Sequence, residues 1–203
     1  GSTGSVFHGQ FAPDATATCT AELSNVQAVD AHQDTATVTA SGVHSGASVI
    51  DQDDYWATVT AAEPAIDIEK IDAAGRDADT ADTAADLGPS PAATSLTFSV
   101  RNAGNEPLTG FDVRDVSTGT GVTADLSCTW PDGTHGSLWG GTLPVGESVP
   151  CTADLAGVTD DGVHHDTATV TARGAHSDKP VTDSDNYYAT ASSALAPAIG
   201  VQK

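Results

Sequence analysis

The sequence predicts an all-β protein in which two sheets pack face to face as a sandwich. Apolar and polar residues alternate with the two-residue period of a strand in 95–101 (SLTFSVR), 111–115 (FDVRD) and 166–172 (DTATVTA). Clusters of Gly, Pro, Asn and Asp separate such segments, as in 102–107 (NAGNEP) and 130–133 (WPDG), and supply turns. No segment of the sequence carries the sustained apolar stripe of an amphipathic helix. Because 38% of the residues are hydrophobic, the chain can fill the thin core of a sandwich.

The net negative charge of the chain limits the classes of partner that we expect. The 203 residues include 7 Lys and Arg against 28 Asp and Glu, a formal charge of −21. We expect no nucleic-acid partner, because clustered cations bind phosphate, and anionic membrane surfaces are disfavoured for the same reason. An apolar run of about 18 residues is missing from the sequence, so we expect no membrane insertion. No signal-peptide pattern is found, so we expect a mature protein or a fragment of a longer one.

One module occurs twice in the sequence. Residues 19–58 align with 151–190 without a gap, and 22 of the 40 positions are identical. After a one-residue insertion, 63–70 match 196–203. We therefore expect a piece of a tandem array in which neighbouring repeats of the same chain are partners. Its three parts are the C-terminal half of one repeat (1–62), a complete repeat (63–195) and the start of the next (196–203).

The cysteines predict one disulfide. Cys128 and Cys151 flank a run with turn residues (138–150), which allows two neighbouring strands to be joined. Cys19 aligns with Cys151, but its own partner position falls before residue 1, so we expect an unpaired thiol. A catalytic thiol is the alternative, although no cationic neighbour is evident to activate it. A disulfide indicates an oxidising, extracellular environment.

The complete repeat contains its elements in a recognisable order. A strand is predicted at 66–70 (IDIEK), and the Asp-rich tract 72–86 after it is predicted to be a flexible loop. The strands named above follow, and 166–172 belongs to the last part of the repeat. Seven or so short strands over about 130 residues are typical of an immunoglobulin-like β-sandwich.

Several motifs of this repeat resemble a known group of proteins. The motifs are PAIDIEK (64–70), VRNAGN (100–105), FDVRD (111–115), LPVGE (143–147) and HDTATV (165–170). With them the chain resembles the immunoglobulin-like tandem repeats of bacterial cell-surface proteins, especially actinobacterial adhesins and stalks. The resemblance implies a rigid spacer on the cell surface that holds a binding tip away from the wall. It does not identify a host or surface ligand, because one fold serves many functions.

Three ionisable residues are predicted to face the core. Lys70 alternates in phase with the two isoleucines that precede it, so it shares their face. By the same parity, Asp115 shares a face with the Phe and Val of FDVRD, and Asp166 with the Ala and Val of DTATV. Burial favours a neutral amine and a protonated carboxylic acid, which are the forms that amide formation requires.

We therefore predict an intramolecular isopeptide bond between Lys70 and Asp166. Asp115 is the predicted catalyst, which polarises the Asp166 carbonyl and shuttles protons. The trio resembles the Lys, carboxyl catalyst and Asn or Asp of self-crosslinking Gram-positive surface domains, although related repeats often carry Asn where Asp166 stands. A buried ion pair and a snorkelling lysine at the strand end are the alternatives. Lys203 and Asp34 are predicted to be halves of equivalent sites in other modules.

Two acidic motifs are candidate calcium sites. DQDDY (51–55) and DSDNY (183–187) place carboxylate and amide oxygens close together, as calcium prefers, and a loop at one end of the sandwich would present them. Solvated acidic turns are the alternative, and no cofactor is required for the predicted fold. The candidate ligands are Asp51, Asp53, Asp54, Asp183, Asp185 and Asn186.

A ligand-binding adhesin module is the main alternative to a stalk. Threonines alternate at 35–39 and at 167–171, and such a hydroxyl row would suit a glycan or ice surface, although it is also ordinary on a solvated strand. The sequence offers no catalytic triad or phosphate loop, so we expect no turnover enzyme and at most a single self-crosslinking reaction. The half-repeat leaves apolar strand edges, which predicts a homodimer through it.

Overall fold

The structure is a computed structural model that describes residues 6–26, 28, 31–193 and 199–201. The chain divides into two compact units, Gly1–Ala61 and Ala62–Lys203. Most of the predicted start of a third repeat (196–203), including Lys203, lies outside the described residues.

The described part of the chain is almost entirely β-structure, which confirms the predicted fold class. A single 3₁₀ turn (Ala81–Thr83) is described, and no helix in these ranges is long and apolar enough to cross a membrane. The strands are β1 (His32–Ser41), β2 (Ser48–Ala57), β3 (Ile66–Asp72), β4 (Ala85–Pro89), β5 (Ala92–Asn102), β6 (Leu108–Gly119), β7 (Val122–Thr129), β8 (His135–Gly136), β9 (Leu138–Leu143), β10 (Ser148–Val158), β11 (His164–Gly174) and β12 (Pro180–Ser192).

The first unit contains an antiparallel hairpin of β1 and β2. Its register matches that of β11 and β12 in the second unit: Asp34 pairs with Tyr55 as Asp166 pairs with Tyr187. The repeated sequence therefore folds into the same local structure twice. Tyr55 is largely exposed, whereas Tyr187 is fully buried. The homodimer through this hairpin stays a prediction from the sequence.

The second unit is an immunoglobulin-like sandwich of two five-stranded sheets. The first sheet has the order β3-β5-β10-β7-β8, and the second has the order β4-β12-β11-β6-β9. All pairs are antiparallel except β4 with β12. The connection from β3 to β4 crosses from the first sheet to the second. The first strand of this unit, β3, and its last strand, β12, therefore lie in different sheets.

Strict alternation explains why these strands face one another across a core. In β5, every second residue from Leu96 to Asn102 is buried, and the residues between them are exposed. Phe111 packs against Trp130, with ring centroids 5.2 Å apart, and Trp130 stacks on Trp139. The apolar faces of both sheets thus supply the core.

The predicted disulfide is present between Cys128 and Cys151. These residues lie directly opposite each other on β7 and β10, so the bond joins two neighbouring strands of one sheet. Both cysteines are buried. Cys19 has no disulfide partner and is exposed.

The tract 72–86 contains a loop, as predicted, but it also includes the 3₁₀ turn and the start of β4, and hydrogen bonds hold both of its ends. Buried Asp72 accepts hydrogen bonds from the backbone N–H of Ala74 at 2.8 Å and of Arg76 at 3.0 Å. The Arg76 side chain donates to Asp72 at 2.7 Å and to the carbonyl oxygen of Asp86 at 2.8 Å. The tract therefore forms a hydrogen-bonded crossover that carries the chain from β3 into β4.

We expect loss of the disulfide to destabilise the second unit. The bond closes a loop across a sequence separation of 23 residues. Without the bond the unfolded chain has more conformational entropy, which should lower the free energy of unfolding by about 3 kcal/mol. Urea titration of a Cys128→Ser, Cys151→Ser double variant measures the effect, with Cys19→Ser as the control. Equal midpoints for the two proteins would contradict the prediction.

We expect Asp72 to make the free energy of unfolding depend on pH in the acidic range. Burial acts to raise its pKa, but hydrogen bonds from Arg76 and Tyr187 outweigh burial and hold the pKa below the usual 3.8. Its contribution is therefore present above the unfolded pKa and is lost as the pH falls through the folded pKa. We expect Asp72→Asn to be less stable than the wild type near neutral pH, with a difference that shrinks below about pH 4. Urea titrations across this range test it, with exposed Asp160→Asn as the control; a constant difference would refute it.

Candidate functional site

The site is built around a lysine in the core. Lys70 lies on β3 in phase with Ile66 and Ile68, and its side chain is 0% exposed. Its Nζ lies 5.6 Å from the centroid of the Phe98 ring, on the neighbouring strand β5. An ammonium group in such a place needs opposite charges and hydrogen-bond acceptors, because removal from water is costly.

Two carboxylates of the opposite sheet meet this amine. Nζ of Lys70 donates a hydrogen bond to Oδ1 of Asp115 at 3.1 Å and another to Oδ1 of Asp166. Asp115 lies on β6 and Asp166 on β11, which are hydrogen-bonded neighbours in the second sheet. Both carboxyl groups are almost completely buried, with side-chain exposures of 2% and 0%. The structure thus brings together the three residues that parity placed on the inner faces.

The other oxygen of Asp166 has partners of its own. Oδ2 accepts a hydrogen bond from the Thr123 hydroxyl at 2.7 Å. Nε2 of His164 lies 3.1 Å from the same oxygen, and the His164 side chain is 0% exposed. On the far side of the ring, Nδ1 of His164 donates to the carbonyl oxygen of Thr120 at 2.7 Å. Asp166 therefore lies between an amine at one oxygen and an imidazole at the other.

The environment moves the pKa values of the two carboxyl groups in opposite directions. Burial raises the pKa of Asp115; the charge of Lys70 opposes this, and the charge of Asp166 adds to it. Burial also acts to raise the pKa of Asp166, but contacts with His164, Lys70 and Thr123 outweigh it and lower that pKa to about 2. Two carboxyl groups whose pKa values differ in this way are suited to different roles in proton transfer.

His164 and Thr123 were not among the predicted site residues. His164 precedes Asp166 by two residues, so strand parity already places it on the same inner face. Parity alone gives the direction of this side chain and no partner for it. Thr123 lies near the start of β7, and no sequence pattern indicates that it reaches Asp166.

The predicted calcium ligands of the second unit lie within a strand and not in an end loop. Asp183 and Asp185 are on β12, and their Oδ2 atoms accept hydrogen bonds from the backbone N–H of Ile68 at 2.9 Å and of Lys70 at 2.6 Å. These carboxylates therefore bind the free edge of β3. The prediction that a loop presents them is wrong.

The remaining candidate ligands point elsewhere. Asn186 alternates to the other face of β12, where its Oδ1 accepts a hydrogen bond from Thr167 at 2.8 Å. Asp51, Asp53 and Asp54 occupy the matching positions on β2, and Asp54 accepts from the Thr35 hydroxyl at 2.6 Å. Among the described residues no group of three or more His, Cys, Asp or Glu is placed to hold a metal ion. Calcium binding stays a prediction from the sequence.

The first unit repeats half of the site. Asp34 on β1 matches Asp166, and Nε2 of His32 lies 3.4 Å from its Oδ2, as His164 does for Asp166. The Asp34 side chain is 56% exposed. The lysine predicted to belong to an equivalent site, Lys203, lies outside the described residues.

Comparison with known proteins gives no independent identification. No protein-family model matches the chain, and no curated protein matches it. The proposals below therefore rest on the geometry of the second unit.

We expect replacement of Lys70 to destabilise the second unit strongly. Lys70→Met leaves Asp115 and Asp166 buried without their cation, which should cost about 3–5 kcal/mol in the free energy of unfolding. Urea unfolding measures the loss. Lys179→Met is the matched control, because this lysine is exposed and its Nζ donates only to the carbonyl oxygen of Ala62. Similar stabilities of the two variants would contradict the assignment of Lys70 as a buried charge.

Proposed function

We propose that the chain is a structural stalk module of an extracellular bacterial surface protein and that its second unit crosslinks itself. The observation that carries the proposal is the buried contact of Lys70 with Asp115 and Asp166. The disulfide between Cys128 and Cys151 supports an oxidising location. The resemblance of the repeat to surface stalks supports the same assignment.

The proposed reaction is a condensation of two side chains. The reaction starts when one proton passes from the Lys70 ammonium group to the Asp166 carboxylate, which converts the ion pair into a neutral amine and a carboxylic acid. Nζ then attacks Cγ of Asp166; a bond forms between nitrogen and Cγ, and one bond between Cγ and oxygen breaks. The departing oxygen leaves with two hydrogens as water, and the product is an amide. Asp115 lies 3.1 Å from Nζ, within reach of the proton that this nitrogen loses. Its raised pKa makes it a good acceptor for that proton, and its protonated form donates a hydrogen bond that polarises the carbonyl.

The position of the bond suits a module under tension. It would join β3 in the first sheet to β11 in the second, across a sequence separation of 96 residues. β11 is hydrogen-bonded along its length to the last strand, β12. Tension that enters at β3 and leaves at β12 would therefore pass through the amide and bypass most of the sandwich. Noncovalent contacts between the sheets would not have to carry that load.

The intact mass of the reduced protein tests the proposal. Condensation releases one water, so we expect the wild type to be lighter than its sequence by about 18 Da, a change that reduction does not reverse. Lys70→Ala and Asp115→Asn should keep the full mass of their sequences. Lys179→Ala should show the same deficit as the wild type, because its lysine lies at the surface.

Peptide mapping locates the bond. Trypsin does not cleave after an amidated lysine, so the wild type should yield residues 1–76 joined to residues 115–173 after reduction. A wild type with the full mass of its sequence would reject the crosslink and leave a buried ion pair. A deficit that persists in Lys70→Ala would place the lost water elsewhere.

A further inference from the structure

The buried imidazole of His164 has one nitrogen free for proton transfer. The carbonyl oxygen of Thr120 can only accept, so the hydrogen on Nδ1 is fixed by the 2.7 Å hydrogen bond to it. Nε2 is therefore the nitrogen that gains and loses a proton. It has no hydrogen-bond partner among the described residues, and it lies 3.1 Å from Oδ2 of Asp166.

The two oxygens of Asp166 face different groups. Oδ1 receives the hydrogen bond from Nζ of Lys70, while Oδ2 faces Thr123 and His164. Asp115 contacts the amine through Oδ1. A proton that leaves the attacking nitrogen is thus collected on the Asp115 side, whereas the departing oxygen needs a proton from the opposite side.

We propose that Oδ2 is the leaving oxygen of the crosslinking reaction and that His164 is the catalytic acid that protonates it. The inference rests on the proposed crosslink and deepens it. Asp166 enters this step as the carboxylic acid, with its proton on Oδ2. The imidazolium of His164 donates its Nε2 proton to the same oxygen, the bond between Cγ and Oδ2 breaks, and water departs. The proton lost by Nζ is held by Asp115, which enters this step as a carboxylate. One amide and one water form, His164 ends neutral, and Asp115 ends protonated, so hydrogens and charge balance.

The first unit shows that the pair of histidine and aspartate belongs to the repeated strand. His32 and Asp34 repeat the arrangement on β1, with Nε2 3.4 Å from Oδ2, in a hairpin that lacks the burial of the second unit. The pair is therefore formed by the strand itself, because residues two apart share one face. The second unit adds what the first lacks, which is burial of the pair and the contact of Asp166 with Lys70.

The rate of crosslinking tests the role of His164. The full chain is translated in a cell-free, oxidising mixture for a short pulse, aliquots are shifted to different pH values, and the fraction lighter by about 18 Da is followed with time. We expect His164→Gln, which has no proton to donate at any pH, to react about 10²-fold more slowly than the wild type near pH 6. His165→Gln is the matched control, because its side chain lies on the outer face of β11, stacked on Tyr188.

The pH profile separates an acid from a merely structural residue. The advantage of the wild type over His164→Gln should fall as the pH rises and the imidazole loses its proton, whereas a structural role gives a constant ratio. Other titratable groups around the site are Lys70 on β3, Asp115 on β6, Asp166 on β11, and Asp185 and Tyr187 on β12, and both proteins share them.

The outcomes distinguish the two proposals. A wild type that never loses the water rejects the crosslink itself. A wild type that crosslinks while His164→Gln matches its rate, or differs by the same factor at every pH, overturns the role of His164 alone. If His164→Gln does not fold, the wild-type profile decides, since the acid role requires a rate that falls as the pH rises.

Discussion

The charge of Lys70, removed from water inside the core, is the constraint on which the second unit depends. Desolvating an ammonium group costs several kcal/mol, and only well-placed carboxylates offset this cost. Those carboxylates come from β6 and β11 in the opposite sheet, so the amine ties the registers of three strands together. Apolar packing alone tolerates small shifts between sheets, whereas a buried ion cluster tolerates almost none.

A second set of acidic residues fixes the strand that carries this lysine. β3 pairs with β5 along one edge, and Asp183 and Asp185 accept hydrogen bonds from backbone N–H groups on its other edge. The hydroxyl of Tyr187 then donates to Asp72 at the end of the strand, at 2.8 Å. Asp183, Asp185 and Tyr187 all lie on β12. An edge strand with open N–H groups invites pairing with other chains, and here the last strand of the module closes that edge with side chains.

The face of the strand on which each side chain lies could be predicted from the sequence, but the residues of other strands that it contacts could not. Alternation placed Lys70, Asp115 and Asp166 on inner faces, and the structure buries all three. The same rule applies to His164, but its meaning depends on Thr120, whose carbonyl oxygen comes from a turn 44 residues away. Strand periodicity contains no information about such a contact.

The acidic motif of β12 shows why spacing alone misleads. Alternate carboxylates two residues apart indicate oxygen ligands for a cation when only the sequence is read. In the folded unit, Asp183 and Asp185 instead meet backbone donors 115 residues earlier in the chain. A carboxylate that accepts an N–H bond and one that binds calcium share the same local pattern, and only the arrangement of strands decides between them.

The two units share the motif, but only the second provides the buried environment that the proposed reaction needs. Asp34 and Asp166 stand in the same repeated sequence and the same hairpin register, yet the first is half exposed and the second is buried. In water an amine is protonated, a carboxylate is ionised, and condensation is opposed by the solvent itself. Only the closed sandwich excludes water and sets Lys70, Asp115 and His164 around Asp166. The reaction we propose is therefore a consequence of completed packing, so a crosslinked chain is one whose two sheets have already met in the correct register.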